Sequence, residues 1–128
     1  EHRNLNQAYL RVVRLDEDGP EDARATWARE LAAMESFAHG KPVILTEVGY
    51  PAHADAARFP WDETRPAAVD TSLQASLLGA FCDAYAARPG PGYVVWNWFG
   101  VGGPRDGGYS PRGKPAAQRF ERCMEDER

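Results

Sequence analysis

Apolar residues along this chain alternate between short strand-like runs and helix-period stripes, and that alternation predicts repeated β-then-α units. Ala8-Tyr-Leu-Arg-Val-Val-Arg14 alternates weakly and suits a short strand. Asp18-Gly-Pro-Glu21 reads as a turn into a helix, with Pro20 and acidic residues where a helix N-terminus favours them. Trp27, Leu31, Met34 and Ala38 recur at helical spacing and predict an amphipathic helix over 21–39. His39-Gly40 closes it, with glycine just past the end. The apolar run Lys41-Pro-Val-Ile-Leu45 passes into Thr46-Glu47-Val48, and residues 42–48 read as a strand covered on both faces. That is the habit of parallel sheets.

The second half repeats the theme with longer connections. Residues 50–69 hold Phe59-Pro-Trp61-Asp62 and exceed the usual two to six residues of a strand-to-helix loop, and long ordered loops usually carry function. Asp70 is a good N-cap for a helix over 71–87, whose Leu73, Leu77, Phe81 and Ala84 form the buried stripe. Arg88-Pro-Gly-Pro-Gly92 breaks the chain. Tyr93-Val-Val-Trp-Asn-Trp-Phe99 is a strand by composition. A glycine-rich connection, Gly100 to Gly113, leads to a last helix over 115–124. Strand and helix alternate three times, which implies an α/β fold with a parallel sheet.

Composition narrows the function classes. The chain has 128 residues, 43% hydrophobic and 27% charged, as expected of one ordinary globular domain. Its formal charge is −4 with both signs scattered, so it carries no nucleic-acid footprint. No apolar stretch approaches the ~20 residues of a membrane span, and no secretory leader opens the chain. Glu1-His2-Arg3 is not a natural start, and the chain reads as cut from something longer.

Cys82 and Cys123 fall in two predicted helices. A bridge between neighbouring helices is open to them, but two buried or half-buried free thiols are the preferred reading. His2, His39 and His53 have no i,i+4 partner and no nearby cysteine, so no metal site is expected.

Glu47 is the residue with a mechanism. A carboxylate where a buried strand runs out into a loop sits where α/β folds do chemistry. Period-two alternation places it on the side of Val43 and Leu45, pointing into a barrel. A strand-end ion pair with a neighbouring Arg or Lys is the structural alternative. Asp55, Asp62 and Asp106 lie in the loops after the two strands and are read as holding those loops rather than as a second catalytic acid. Trp96 and Trp98 share one face of the last strand, with Asn97 on the other. Core packing explains them, and so does a platform for the C–H face of a sugar; at least one is assigned to the site. Tyr50 and Trp61, at and in the long loop, either pack it down or meet a ligand. The glycine pairs at 102–103 and 107–108 precede no Gly-Lys-Ser/Thr and make a weak phosphate motif.

Together, several pieces resemble the C-terminal part of a clan A glycoside hydrolase, closest to glycoside hydrolase family 113, whose characterised members are mostly β-1,4-mannanases. They are Trp27 and Glu30-Leu31, Gly40-Lys-Pro-Val-Ile-Leu-Thr-Glu-Val-Gly-Tyr50, Pro60-Trp61-Asp62, Gln74, Trp96-Asn97-Trp98 and Tyr109-Ser-Pro-Arg-Gly-Lys-Pro115. The resemblance runs over residues 20–120.

The resemblance implies a (β/α)8 barrel in which residues 8–13, 42–48 and 93–99 are strands six, seven and eight. Glu47 falls on the nucleophile position of a retaining mechanism, and Trp96 or Trp98 lies under the sugar being cleaved. Tyr50 hydrogen-bonds the nucleophile or the substrate. The partner is a poly- or oligosaccharide, the chemistry needs no cofactor, and export to the periplasm or cell exterior is implied. The family's acid/base is a Glu following Asn, and Asn-Glu does not occur here. The remainder of the barrel is therefore required. This chain alone is expected to be inactive or nearly so, and marginally folded or self-associating. A degenerate barrel that binds carbohydrate, or acts as a scaffold, without catalysis is the alternative.

Overall fold

The computed structural model describes residues 20–126. The strand expected at 8–13 lies outside them. Element order is α1 Pro20–Ala38, β1 Ile44–Val48, α2 Thr71–Ala87, β2 Gly92–Val95 and α3 Pro115–Asp126. β1 and β2 form a parallel two-stranded sheet, so the α/β alternation and the strand direction follow the expectation.

Each helix forms where its stripe and caps require. α1 buries Ala23, Trp27 and Leu31 on one face, with Met34 packed alongside. It ends as the chain passes into the left-handed region at His39 (φ 50°) and Gly40 (φ 81°). Asp70 caps α2, its Oδ1 accepting the Leu73 N–H at 2.9 Å. α2 packs against α1, α3 and the sheet, so Leu77, Leu78, Phe81, Ala84 and Tyr85 are all buried. α3 contributes Ala116, Phe120 and Cys123 at helical spacing. The centre of the core is aromatic. Phe81 meets Trp27 edge-on at 4.9 Å and Tyr93 at 5.0 Å, and Tyr93 also meets Tyr85 at 4.9 Å.

Three expectations are corrected. Cys82 and Cys123 are not free thiols: they form a disulfide joining α2 to α3, with Cα atoms 5.7 Å apart. Each cysteine lies on the buried stripe of its helix, and those stripes face each other, which the 41-residue separation does not reveal. The last strand stops at Val95 rather than Phe99. The Trp96 N–H still joins the ladder, donating to the Val48 carbonyl at 2.8 Å, but the Trp96–Asn97 peptide is cis and the chain leaves the sheet there. Finally, among the described residues only one face of the sheet is covered. Leu45, Tyr93 and Val95 pack on the helices, while Ile44 (62% exposed) and Val94 (57%) lie bare on the other side.

Candidate functional site

Parallel pairing puts the C-terminal ends of β1 and β2 side by side, and the sequence-predicted site residues gather there. The register sets Leu45 opposite Tyr93 and Val48 opposite Val95: three steps on β1 against two on β2. The extra residue is a bulge, and it resets the face on which side chains emerge. Leu45 and Val48 both pack toward the helices, and Thr46 and Glu47 between them are both exposed. Glu47 is therefore not on the side of Leu45, as strict alternation predicts. It lies with Thr46 on the open side of the sheet. Among the described residues its carboxylate has no hydrogen-bond or ion-pair partner, so the strand-end ion pair is not formed there.

Gly49 explains why Thr-Glu-Val-Gly must end in glycine. A Cβ built on Gly49 lies 1.9 Å from the Trp96 carbonyl oxygen, so only a bare Cα lets the two strand ends close to this distance. That contact sets Glu47, two residues before, beside the Trp96-Asn97-Trp98 exit of β2. Trp96 and Trp98 are 44% and 45% exposed, too open for core tryptophans. Asn97 Oδ1 accepts the Phe99 N–H at 3.1 Å and turns the chain after them.

Tyr50 is held in the core. It is 2% exposed, and its hydroxyl accepts the Trp27 Nε1–H at 2.9 Å inside the α1 core. Burial drives its ionisation far above the ordinary tyrosine range, and the Trp27 bond only partly opposes this. Tyr50 positions the strand end from behind.

The loops after β1 and β2 are laced together, and this lacing holds the site. The Ala52 N–H donates to the Gly107 carbonyl at 2.9 Å, and the Asp70 N–H to the Ala52 carbonyl at 2.7 Å. Gln74, fully buried on α2, donates both amide hydrogens across the two loops, to the carbonyls of Tyr50 at 2.9 Å and Tyr109 at 3.0 Å. Tyr109 donates its hydroxyl to the Pro60 carbonyl at 2.6 Å. Burial, then the nearby carboxylates Glu63 and Asp62, push the Tyr109 phenol up to about 12. Buried His53 accepts the Asp55 N–H at Nδ1 (3.2 Å), the arrangement that leaves its Nε2–H to donate to the Asp62 carbonyl at 2.6 Å. Trp61 stacks edge-on against Phe59, at 5.5 Å, and remains half exposed.

The three loop aspartates are occupied. Asp55 pairs with Arg65 at 2.6 Å, and that bond, working against burial, holds its carboxyl below the usual range. Asp62 Oδ1 accepts from the Thr64 N–H and hydroxyl. Burial alone would raise Asp106, but the Gly108 N–H at 3.0 Å and the buried Lys114 ammonium at 3.2 Å outweigh it and hold the carboxyl low. These three bind loops together, as their positions predict. Gln74, Lys114 and the arginine of Tyr109–Pro115 carry parts of this architecture that sequence reasoning did not assign. The repeated carbonyl-rich loops around them are the only signal that buried donors are needed.

The Glu47 end of the sheet is exposed. A hollow of about 160 Å³ lies at the opposite end of the strands, lined by Leu31, Met34, Val43, Leu45 and Tyr85. It holds none of the candidate residues.

No protein-family profile and no curated protein matches the sequence. Solved structures do match. Two structures of GH113 β-1,4-mannanases, one of them a complex, superpose with TM-scores of 0.70 and 0.71 at 21% identity, over 77% and 80% of this chain. The GH113 β-mannanase AaManA from Alicyclobacillus acidocaldarius, in complex with ManMIm, superposes with a TM-score of 0.64 at 28% identity over 81% of this chain. This chain resembles part of a GH113 barrel. It spans about 35% of the length of those structures, and its two parallel strands with their helices are an incomplete portion of that α/β fold. The open side of the GH113-like sheet, where Ile44, Glu47 and Val94 lie, is its interior side by the logic of a barrel whose helices form the outer ring. The glycoside-hydrolase-like origin expected from the motifs is thereby supported by the fold.

Proposed function

We propose that this chain supplies the nucleophile side of the cleft in a retaining β-glycoside hydrolase acting on β-1,4-mannan or a related polysaccharide. The observation that carries the reading is Glu47, an unpartnered carboxylate at a strand C-terminus, set beside two exposed tryptophans in a GH113-like fold. In this reaction Glu47 attacks the anomeric carbon as the leaving oxygen is protonated, and water then cleaves the glycosyl-enzyme ester. Proton donation belongs to a second carboxylate ~5–5.5 Å away. The acid/base is assigned to flanking chain that completes the barrel, and Asp55, Asp62 and Asp106 serve their loops.

The test is Glu47→Gln in the full-length gene product. Turnover of β-1,4-manno-oligosaccharide should fall by roughly 10³-fold or more while oligosaccharide binding persists. One rival keeps the exposed tryptophans without an acid pair: a carbohydrate-binding or scaffold barrel without catalysis. In that case Glu47→Gln changes little, and Trp96→Ala removes affinity.

A further inference from the structure

The closing motif Tyr109–Pro115 has one side chain that neither the core nor the proposed chemistry uses. Arg112 makes no ion pair among the described residues. Its exposed guanidinium instead faces two backbone carbonyls of the segment leaving β2. Nη2 donates to the Trp98 carbonyl at 3.0 Å, and Nη1 approaches the Gly100 carbonyl at 3.5 Å, a long and weaker contact. These carbonyls belong to the stretch where the chain has left the sheet and the ladder no longer fixes the backbone.

The post from which the guanidinium hangs is rigid. The Arg112 carbonyl accepts the Gly103 N–H at 2.7 Å, and its N–H donates to Oγ of buried Ser110 at 3.3 Å. A Cβ on Gly102 (φ 71°) lies 2.5 Å from the Arg112 carbonyl oxygen, so the two backbones are in closest contact there. Two residues on, Lys114 is buried and tied to Asp106. A planar fork on a fixed base holds two acceptors at set positions, which a compact ammonium cannot do. Trp98 lies between that grip and the Trp96 N–H bond to Val48, so its backbone is held on both sides.

We propose that Arg112 is the positioning residue of the tryptophan platform: it fixes the backbone at Trp98 and Gly100 and so sets the ring that a sugar meets. The proposal rests on the reading of Trp96 and Trp98 as a saccharide platform. Arg112 itself need not touch the sugar.

The full-length protein is compared with its Arg112→Lys and Arg112→Ala forms by kinetics on a soluble β-1,4-manno-oligosaccharide and by amide hydrogen exchange. Arg112→Ala should raise KM roughly tenfold with kcat nearly unchanged, since a misplaced contact surface weakens ground-state and transition-state binding alike. Exchange at residues 97–101 should accelerate while α2 exchanges as in the parent. Arg112→Lys should fall between, because one ammonium cannot span both carbonyls. A parent-like KM for Arg112→Ala overturns the proposal, whatever exchange does. So does acceleration spread equally over α2 and α3, which marks general destabilisation. A parent protein inert toward the oligosaccharide defeats the glycosidase reading instead, and exchange then decides alone: local acceleration at 97–101 upholds the clamp, and parent-like rates overturn it.

Discussion

Single residues decide the geometry of the strand ends. Gly49 is the sharpest case, because any side chain there meets the Trp96 carbonyl. Gly49→Ala should destabilise the fold by about 1–3 kcal/mol, as overpacking does, and depress oligosaccharide turnover more than that loss explains. Urea melts set beside kinetics check both halves. Tyr50 carries the opposite expectation. Tyr50→Phe leaves the buried Trp27 N–H without its acceptor and should cost roughly 1–3 kcal/mol, yet leave KM unchanged. A raised KM without loss of stability would return Tyr50 to the substrate. Glu47 itself shows where sequence reading reaches its limit at this scale. Its position at a strand end was legible from the apolar run, but its facing was not. Alternation predicts the side of Leu45, and one extra residue in the β1 register moves Glu47 to the other face. A bulge of this kind is fixed by the pairing partner, not by the strand's own residues.

At the scale of elements, helices were far more legible than strand ends. The α2 boundaries follow from Asp70 and from the Pro-Gly break, both local signals, and α1 and α3 differ from expectation by a residue or two. The end of β2 was not legible, because Trp, Asn and Phe all suit a strand and only contacts with Val48 and Arg112 show where the ladder stops. The Cys82–Cys123 bridge closes a 41-residue separation, and in the chain-entropy picture a loop of that size is worth roughly 4 kcal/mol. Replacing both cysteines with alanine should lower stability by that order. Equal denaturation midpoints for parent and variant would count against the bridge. The loop lacing has a pH signature. Tyr109 titrates higher folded (about 12) than its ordinary value of 10.0, so the folded state keeps a proton that the unfolded chain sheds. Its contribution is complete below pH 10 and disappears as pH climbs toward 12. Denaturant midpoints of the parent should therefore fall more steeply over that window than those of Tyr109→Phe; parallel slopes would contradict the assignment.

At the scale of the molecule, the helical side is a finished core and the opposite side is not. Ile44 and Val94 lie exposed on the open side of the sheet, and Trp96, Phe99 and Val101 are exposed in the segment leaving it, more bare apolar surface than isolated soluble domains usually keep. The 128-residue chain produced alone should self-associate with increasing concentration in sedimentation velocity, and should show no mannan turnover. A monomer at all concentrations would mean that the open face is stable in water. The same incompleteness limits what the chain can do chemically. In the proposed reading, one carboxylate and a platform make half of a retaining site, and the fold they occupy spans about 35% of the GH113 structures it matches.

The claim that Glu47 is the nucleophile meets its most direct test in covalent trapping. The full-length protein is treated with an activated 2-deoxy-2-fluoro β-mannoside, which slows the second step, and is then digested and weighed peptide by peptide. One fluoroglycosyl unit on the peptide holding Glu47, absent from Glu47→Gln, is the predicted result. An adduct on another carboxylate, or none in a protein that turns over mannan, would contradict it.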